Sequence, residues 1–504
     1  MNELIGSRSP QTVAAGELLS EAQSLSSQSE TTRLLDWHAH RSRGPGSVAE
    51  AVLQLRDGTG RRWQLLVPDA DELPSLSRIW PAVAWPQREA VERLGLRFTG
   101  AEIPTPLWTA AVRAARDEED GAEEPGEPDG FLPLGDPGAT TPYRLDLRVR
   151  LKRRIIEAAQ ALPGKTHSDF ESLATRQGYA QLPLLAEGLN EQAPFAVGLA
   201  AILAAEALLC VTPSGRCRRV RMLLAEASRI GAHCAWLATQ LLADKGAWGE
   251  ALAVREAVAA LLADISGSRW ATGVHRIGGI HADVTDNSPA LLAVLAIAVE
   301  GLCVTARRHT IDNRKWRRRF IGSAAIDAET AQRWALTGPV LRAAGVEFDV
   351  RRDAPYLDYD EVDFAIPTGS NGDVADRVAV RLAEMSQSIA ICRQCLDNLP
   401  AGVLCQQSST PLAAAEMIEH FEVWMDGHGH RPSAGTMYLP TESADGELAF
   451  WLAADGTGKP AAVHLRSPSL YNFQLLEHLL PGTGWDFAPD VVASMNIVAP
   501  EMDR

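Results

Sequence analysis

Apolar residues recur every three or four positions from 374 to 396, as Val374, Val378, Leu382, Met385, Ile389, Cys392 and Leu396. That spacing sets them on one ridge of a helix. Asn371-Gly372 signals a turn just before it, and Asp373 and Asp376 supply an N-cap and an early acidic residue. Pro400 and Gly402 end the helix. Arg377, Arg381 and Glu384 fall on a neighbouring face where they can pair at helical spacing. The pattern predicts a bundle-core helix with a solvated charged edge. Upstream, residues 338–370 are turn-rich and set Arg351, Arg352 and Asp353 close to Tyr356, Tyr359 and Phe364.

Two further apolar runs, 195–212 and 288–306, approach the length of a membrane span. Each carries a carboxylate, Glu206 or Glu300, which is costly in lipid. Both are therefore expected to be buried helices of a soluble bundle. Elsewhere the periodicity is shorter. Residues 51–56 and 62–68 flank Asp57-Gly58-Thr59-Gly60, a hairpin signal. A charged helix with Arg88, Glu89 and Glu92 follows and breaks at Gly95. Strand-like pieces at 143–150 and 152–158 precede a mainly helical body over 169–411, and strands return at 448–453 and 461–465. Residues 1–33, rich in Ser, Gln and Ala, are expected to be poorly ordered. The acidic stretch DEEDGAEEPGEPDG at 117–130 reads as a linker between a unit at 34–116 and one at 131–504.

At 504 residues the chain is long enough for more than one domain. Its net charge of −16 opposes a general nucleic-acid binder, which would be basic. The seven cysteines have no framework spacing and read as reduced thiols. Residues 1–16 contain no apolar core of a signal peptide. Cys392-Arg-Gln-Cys395 lies mid-helix with no second pair, so core thiols are expected. His275 and His281 flank a glycine turn, and no spaced carboxylate pair completes a metal-ligand set. RKWRRRF at 314–320 is the sharpest basic cluster, a solvated loop or a face for anionic lipid or an acidic partner.

The residues also carry a resemblance. GPVLRAAGVEFDVR, PYLDY, GDVADR and VRLAEMSQSI, all within 338–390, resemble the 49 kDa (D-type) family of NADH:quinone oxidoreductase, which is homologous to the large subunits of membrane-bound nickel–iron hydrogenases. SLSRIWPAVAWPQREAVERLGLRFTG at 75–100 is similar to the end of the 30 kDa (C-type) family. The implied fold is α+β: a small N-terminal α/β domain joined to a large helical-bundle domain with flanking β segments. His233 would be a hydrogen-bonded core residue of that bundle.

The resemblance also implies where chemistry would sit. Hydrogenase relatives hold nickel and iron with four cysteine thiolates, and the corresponding positions here are Asn190, Ala193, Val498 and Glu501. Such a metal needs soft ligands, so no metal is expected there. HSDFESLATRQGYAQ matches the family's His…Glu…Tyr-x-Gln pattern and makes Tyr179 the quinone-pocket candidate, with Phe170 as a wall. Asp136 and Thr140 stand where the family's loop histidines would be. The implied function is a peripheral subunit on the cytoplasmic face of the plasma membrane, with no span of its own. It would couple electron transfer to ion translocation, with quinone as candidate acceptor. The chain itself would hold no cofactor, and an iron–sulfur cluster would reside in a partner. Implied partners are a small iron–sulfur protein of the B type, a ferredoxin-like iron–sulfur protein, and antiporter-like and H-type membrane proteins. The alternative is a non-catalytic adaptor.

Overall fold

The computed structural model describes residues 10–28, 33–41, 47–54, 60–67, 72–101, 107–108, 130–134, 145–240, 245–405 and 430–504. Its first sheet has four strands in the order β1-β4-β3-β2. β2 (Arg33–Arg41), β3 (Ser47–Gln54) and β4 (Gly60–Val67) run antiparallel, and β1 (Gln11–Thr12) adds parallel to β4. The strands on either side of the expected hairpin thus pair, while its turn lies outside the described residues. The expectation of a poorly ordered N-terminus differs from what is found over 11–28. After β1 comes α1 (Ala15–Gln28), which buries Leu18 and Ala22. The small residues that made this stretch look unstructured leave enough leucine for one apolar stripe.

α2 (Ala84–Leu94) packs on β2 and ends at Gly95, which adopts the left-handed conformation with φ of 70°. The helix is not the solvated one its charges predict: Glu89 is buried and ion-paired to Arg93 and Arg504. β5 (Glu72–Pro74) and β6 (Arg97–Thr99) form a short parallel pair. β7 (Phe131–Pro133), β8 (Asp146–Lys152) and β9 (Ile155–Leu162) make an antiparallel sheet. Of the expected linker at 117–130, only Gly130 lies within the described residues.

The helical body follows: α3 (Phe170–Arg176), α4 (Leu182–Glu187), α5 (Pro194–Leu208), α6 (Gly215–Gln240) and α7 (Lys245–Ser266). A two-residue strand pair, β10 (His275–Arg276) and β11 (Gly279–Ile280), precedes α8 (Ser288–His309). Then come α9 (Arg314–Phe320), α10 (Ala328–Arg333), α11 (Gly338–Ala343), α12 (Val350–Asp353) and α13 (Val374–Asp397). α6, α7, α8 and α13 form the bundle, α6 touching α7 and α13, and α8 touching α7 and α13. β12 (Gly435–Ser443), β13 (Gly446–Ala454) and β14 (Ala462–Arg466) form an antiparallel sheet that packs on α5. α14 (Pro468–Leu479), α15 (Ala488–Met495) and α16 (Ala499–Met502) close the chain.

The two apolar runs have different fates. α5 is apolar all round and buried along nearly its whole length, as such a helix must be. Glu206 near its end is met by both guanidinium nitrogens of Arg221, at 2.7 and 2.8 Å. α8 corrects the second expectation. By length and composition it could cross a membrane, yet only one face is buried. Val294, Ile297 and Val304 are exposed because α8 packs sideways on α7 and α13 and has no neighbour on its outer face among the described residues. RKWRRRF forms the short helix α9, its arginines exposed and Asn313 capping it by accepting from the Lys315 and Trp316 amides.

α13 starts as expected, with Asp373 accepting from the Asp376 amide at 2.9 Å. Val374, Val378, Met385 and Cys392 are fully enclosed, and Cys395 with them. Its charged edge corrects the sequence reading: Arg377, Arg381 and Glu384 are buried, not solvated. Their partners come from elements distant in sequence and invisible to helical spacing. One glycine fixes how the β12–β13 turn docks. Gly338 has φ of 63°, and a Cβ there would lie 2.4 Å from Gly446 Cα.

Candidate functional site

Tyr179 lies in the turn between α3 and α4. Its ring is fully buried, and its hydroxyl donates to the Lys459 carbonyl at 3.4 Å. Burial pushes the phenol up to about 12, so it is a proton-bearing donor at neutral pH. Phe170 is buried on α3 and meets Phe450 edge-on, with ring centroids 6.1 Å apart. Asp136 and Thr140 lie outside the described residues, so their place beside Tyr179 remains an expectation of the sequence.

The four positions that the resemblance assigns to cysteines are occupied by a closed polar lock. Asn190 Oδ1 accepts from the Gln192 and Ala193 amides, both at 3.0 Å, which fixes the amide's orientation before α5 begins. Its Nδ2 then donates to Glu501 Oε2 at 2.9 Å. The other carboxyl oxygen accepts from Ser467 Oγ at 2.8 Å. Ala193 packs in a small-residue cluster with Ala232 and Ala444, and Val498 is fully buried with its amide donating to Ser469 Oγ. Burial pushes Glu501 up to about 7 because its hydrogen-bond partners are neutral. Amide, methyl, isopropyl and carboxyl groups do not fit nickel or iron held by thiolates. The groups instead enclose a carboxyl whose protonated form burial favours.

Beside this lock runs a buried ionic network. Arg342 donates to Glu384 at 2.8 Å and Glu442 at 2.8 Å, and pairs with Asp349 at 3.3 Å. Arg351 bridges Asp349 and Glu226. Tyr359 and Ser388 hydroxyls also donate to Glu226, at 2.7 and 2.6 Å. Burial alone would raise Glu226, but Arg351 and Arg229 hold it down to about 2. Glu442, by contrast, is pushed up by burial and by the neighbouring Asp349 carboxylate. His233 Nε2 meets Glu384 Oε2 at 2.9 Å, the hydrogen-bonded core role expected for it. Arg381 lies over the Trp236 ring, 4.3 Å from its centroid, and pairs with Asp445.

Residues 247–504 match the model of the respiratory-chain NADH dehydrogenase 49 kDa subunit, and residues 11–114 that of the 30 kDa subunit. The chain belongs to the 49 kDa subunit family. The D subunit of NADH-quinone oxidoreductase from Geotalea uraniireducens is 33% identical over 372 residues, covering 71% of this chain and 95% of the relative. A D subunit of Roseiflexus castenholzii is 34% identical over 356 residues, covering 68% and 85%. The D subunit of Salinibacter ruber is 31% identical over 396 residues, covering 76% and 87%. The fold of this 49 kDa-family chain is α+β as expected, and the 30 kDa match places the two family segments in one polypeptide.

The structure brings Asn190 and Glu501 into direct contact and sets Ala193 beside Asn190. Tyr179 and Phe170 are both in the core. His275 is buried against Phe195 and His281 is exposed, and they form no common site. Cys392 and Cys395 are core thiols as expected, pushed up chiefly by burial. Sequence reasoning missed two groups. One is the Arg342–Glu226 network, whose members come from six separate stretches of chain. The other is a histidine cluster where β2 meets β14. Its signal was visible: Asp36, His38 and His40 alternate on one strand face.

Proposed function

We propose that this chain is a peripheral subunit of a membrane-bound respiratory redox complex and has no nickel–iron site of its own. It docks a small iron–sulfur partner of the B type and sits on antiporter-like and H-type membrane proteins at the cytoplasmic face. A ferredoxin-like iron–sulfur protein is a further partner of this reading, electrons come from an iron–sulfur partner, and quinone is the acceptor it names. The observation that carries the reading is Glu501 in a chain of this family. It is a buried carboxyl, bonded only to neutral groups, that changes charge near neutral pH beside a dense ionic network. A redox change in the iron–sulfur partner alters the local potential, and such a carboxyl answers by taking or releasing a proton. The network passes the change on, because Asp445, which bonds Asn496 and pairs with Arg381, links the Glu501 region to the bundle.

The adaptor reading has one specific observation in its favour. The Tyr179 ring is enclosed and its hydroxyl is engaged by a backbone carbonyl, as in a filled rather than an open pocket. Tyr179→Phe in the assembled complex separates the two. Under the redox reading it lowers quinone-dependent turnover by up to roughly a hundredfold, the scale of a lost proton donor, with assembly intact. Unchanged turnover assigns the pocket to the adaptor.

A further inference from the structure

Where the two family-matched segments meet, β2 and β14 enclose a cavity of about 350 Å³. Its lining includes His38 and His40 from β2, His464 from β14, Trp451 from β13, and Glu89 and Arg93 from α2. Two of the lining side chains, His38 and His464, converge on Asp36, and all three are buried. His38 Nδ1 lies 3.1 Å from Asp36 Oδ2, and His464 Nε2 lies 3.2 Å from the same oxygen. One ligand atom from each of the three falls within 4.8 Å of the other two. We propose that Asp36, His38 and His464 form a binding site for one divalent transition-metal ion, zinc by its donor set, which bridges the 30 kDa-like and 49 kDa-like segments. The proposal is independent of the redox reading.

Four observations carry it. Metal–ligand distances of about 2.0–2.1 Å at tetrahedral angles require neighbouring donors about 3.3 Å apart, close to the 3.1 and 3.2 Å from Asp36 Oδ2 to the two imidazoles. The donor set, two imidazoles and one carboxylate, suits zinc and leaves a fourth position on the cavity side, where water fits. The remaining atoms are already engaged as a metal site's outer partners would be. Tyr471 hydroxyl donates to Asp36 Oδ1 at 2.9 Å, leaving Oδ2 for the ion. Glu171 Oε1 lies 3.1 Å from His464 Nδ1, which fixes the tautomer that presents Nε2 inward. Lastly, His464 Nε2 approaches Asp36 Oδ2 to 3.2 Å, and both groups are buried.

Arg41 stands at the exposed rim of the cavity.

The test uses the full-length chain, purified without metal-affinity steps and stripped with chelator, then titrated with zinc chloride alone by calorimetry. Cobalt chloride is added separately to read the visible d–d bands of a tetrahedral ion. One zinc per chain, intense cobalt bands and a raised melting temperature are expected. His38→Asn and His464→Asn should abolish the cobalt bands. Tyr471→Phe, which keeps the core volume, should weaken zinc binding roughly 10–100-fold, the usual effect of losing an outer partner. Metal-free melting of each variant identifies any that misfold, and Tyr471→Phe keeps the test decisive if a histidine variant does. Absence of a one-equivalent site in the wild-type chain overturns the proposal. So does zinc binding that survives in a folded His38→Asn or is unchanged in Tyr471→Phe, and so does zinc binding that is lost only on replacing Cys392 and Cys395 with alanine.

Discussion

Replacing Glu501 by glutamine isolates the proton that the structure places in the lock. The folded chain raises this carboxyl from 4.5 to about 7, by burial first. Between those two pH values the unfolded chain has lost the proton and the folded chain still holds it. Protons bound in the unfolded state are then fewer than in the native state, so stability falls as pH rises through the window and is flat above it. Holding the proton across that interval is worth roughly 3 kcal/mol. Glutamine keeps the geometry. Asn190 is fixed with Nδ2 toward residue 501, so the new amide turns its oxygen to Asn190 and its NH₂ to Ser467 Oγ, which can accept. Denaturant melts of wild type and Glu501→Gln across pH 4–8 give a difference profile in which other titrating groups, such as Glu187 and Glu442, cancel. The variant should match the wild type near pH 4 and exceed it by up to roughly 3 kcal/mol near pH 8. Parallel profiles would refute the reasoning, because Glu501 would then ionise in the fold as it does outside it.

Arg342→Met should destabilise the chain by roughly 3–5 kcal/mol, since Glu384, Glu442 and Asp349 lose their shared cation, and denaturant midpoints measure it. A loss under about 1 kcal/mol would mean the carboxyls simply take up protons. Gly338→Ala should cost about 2 kcal/mol or more, from left-handed strain and the clash with Gly446, and a melting temperature equal to wild type would contradict that docking. Tyr179→Phe should change stability by no more than about 1.5 kcal/mol, the value of one neutral hydrogen bond, so any large loss of turnover reports chemistry rather than unfolding.

Much of the fold was legible because it rests on local periodicity. The ridge of α13, its Asp373 cap, the apolar α5 and the pairing of β3 with β4 all follow from spacing within a few residues. What failed was the reading of the charged faces of α2 and α13 as solvated, while the arginines of the basic cluster at 314–320 are exposed. Arg377, Arg381 and Glu384 sit at ordinary surface spacing, yet their partners Ser494, Asp445, Arg342 and His233 lie on other elements. Glu89 likewise finds Arg504 across 415 residues. α8 failed in the opposite sense, because one turn of sequence does not say that its outer face has no neighbour among the described residues. At the site, the resemblance named Asn190 and Glu501 together. It could not say that they bond to each other or that Tyr179 is enclosed. The Asp36–His38 alternation was readable, but its third member, His464, is joined only by the docking of β14 on β2.

The central claim is that this chain works as a peripheral subunit of a membrane-bound redox complex. It is tested most directly by tagging the chain in its native cell, solubilising membranes in mild detergent, and identifying what co-purifies. The account predicts the chain in the membrane fraction, released with a stoichiometric iron–sulfur protein and antiporter-like membrane proteins. A chain recovered alone from the soluble fraction, with neither class of partner, would contradict it.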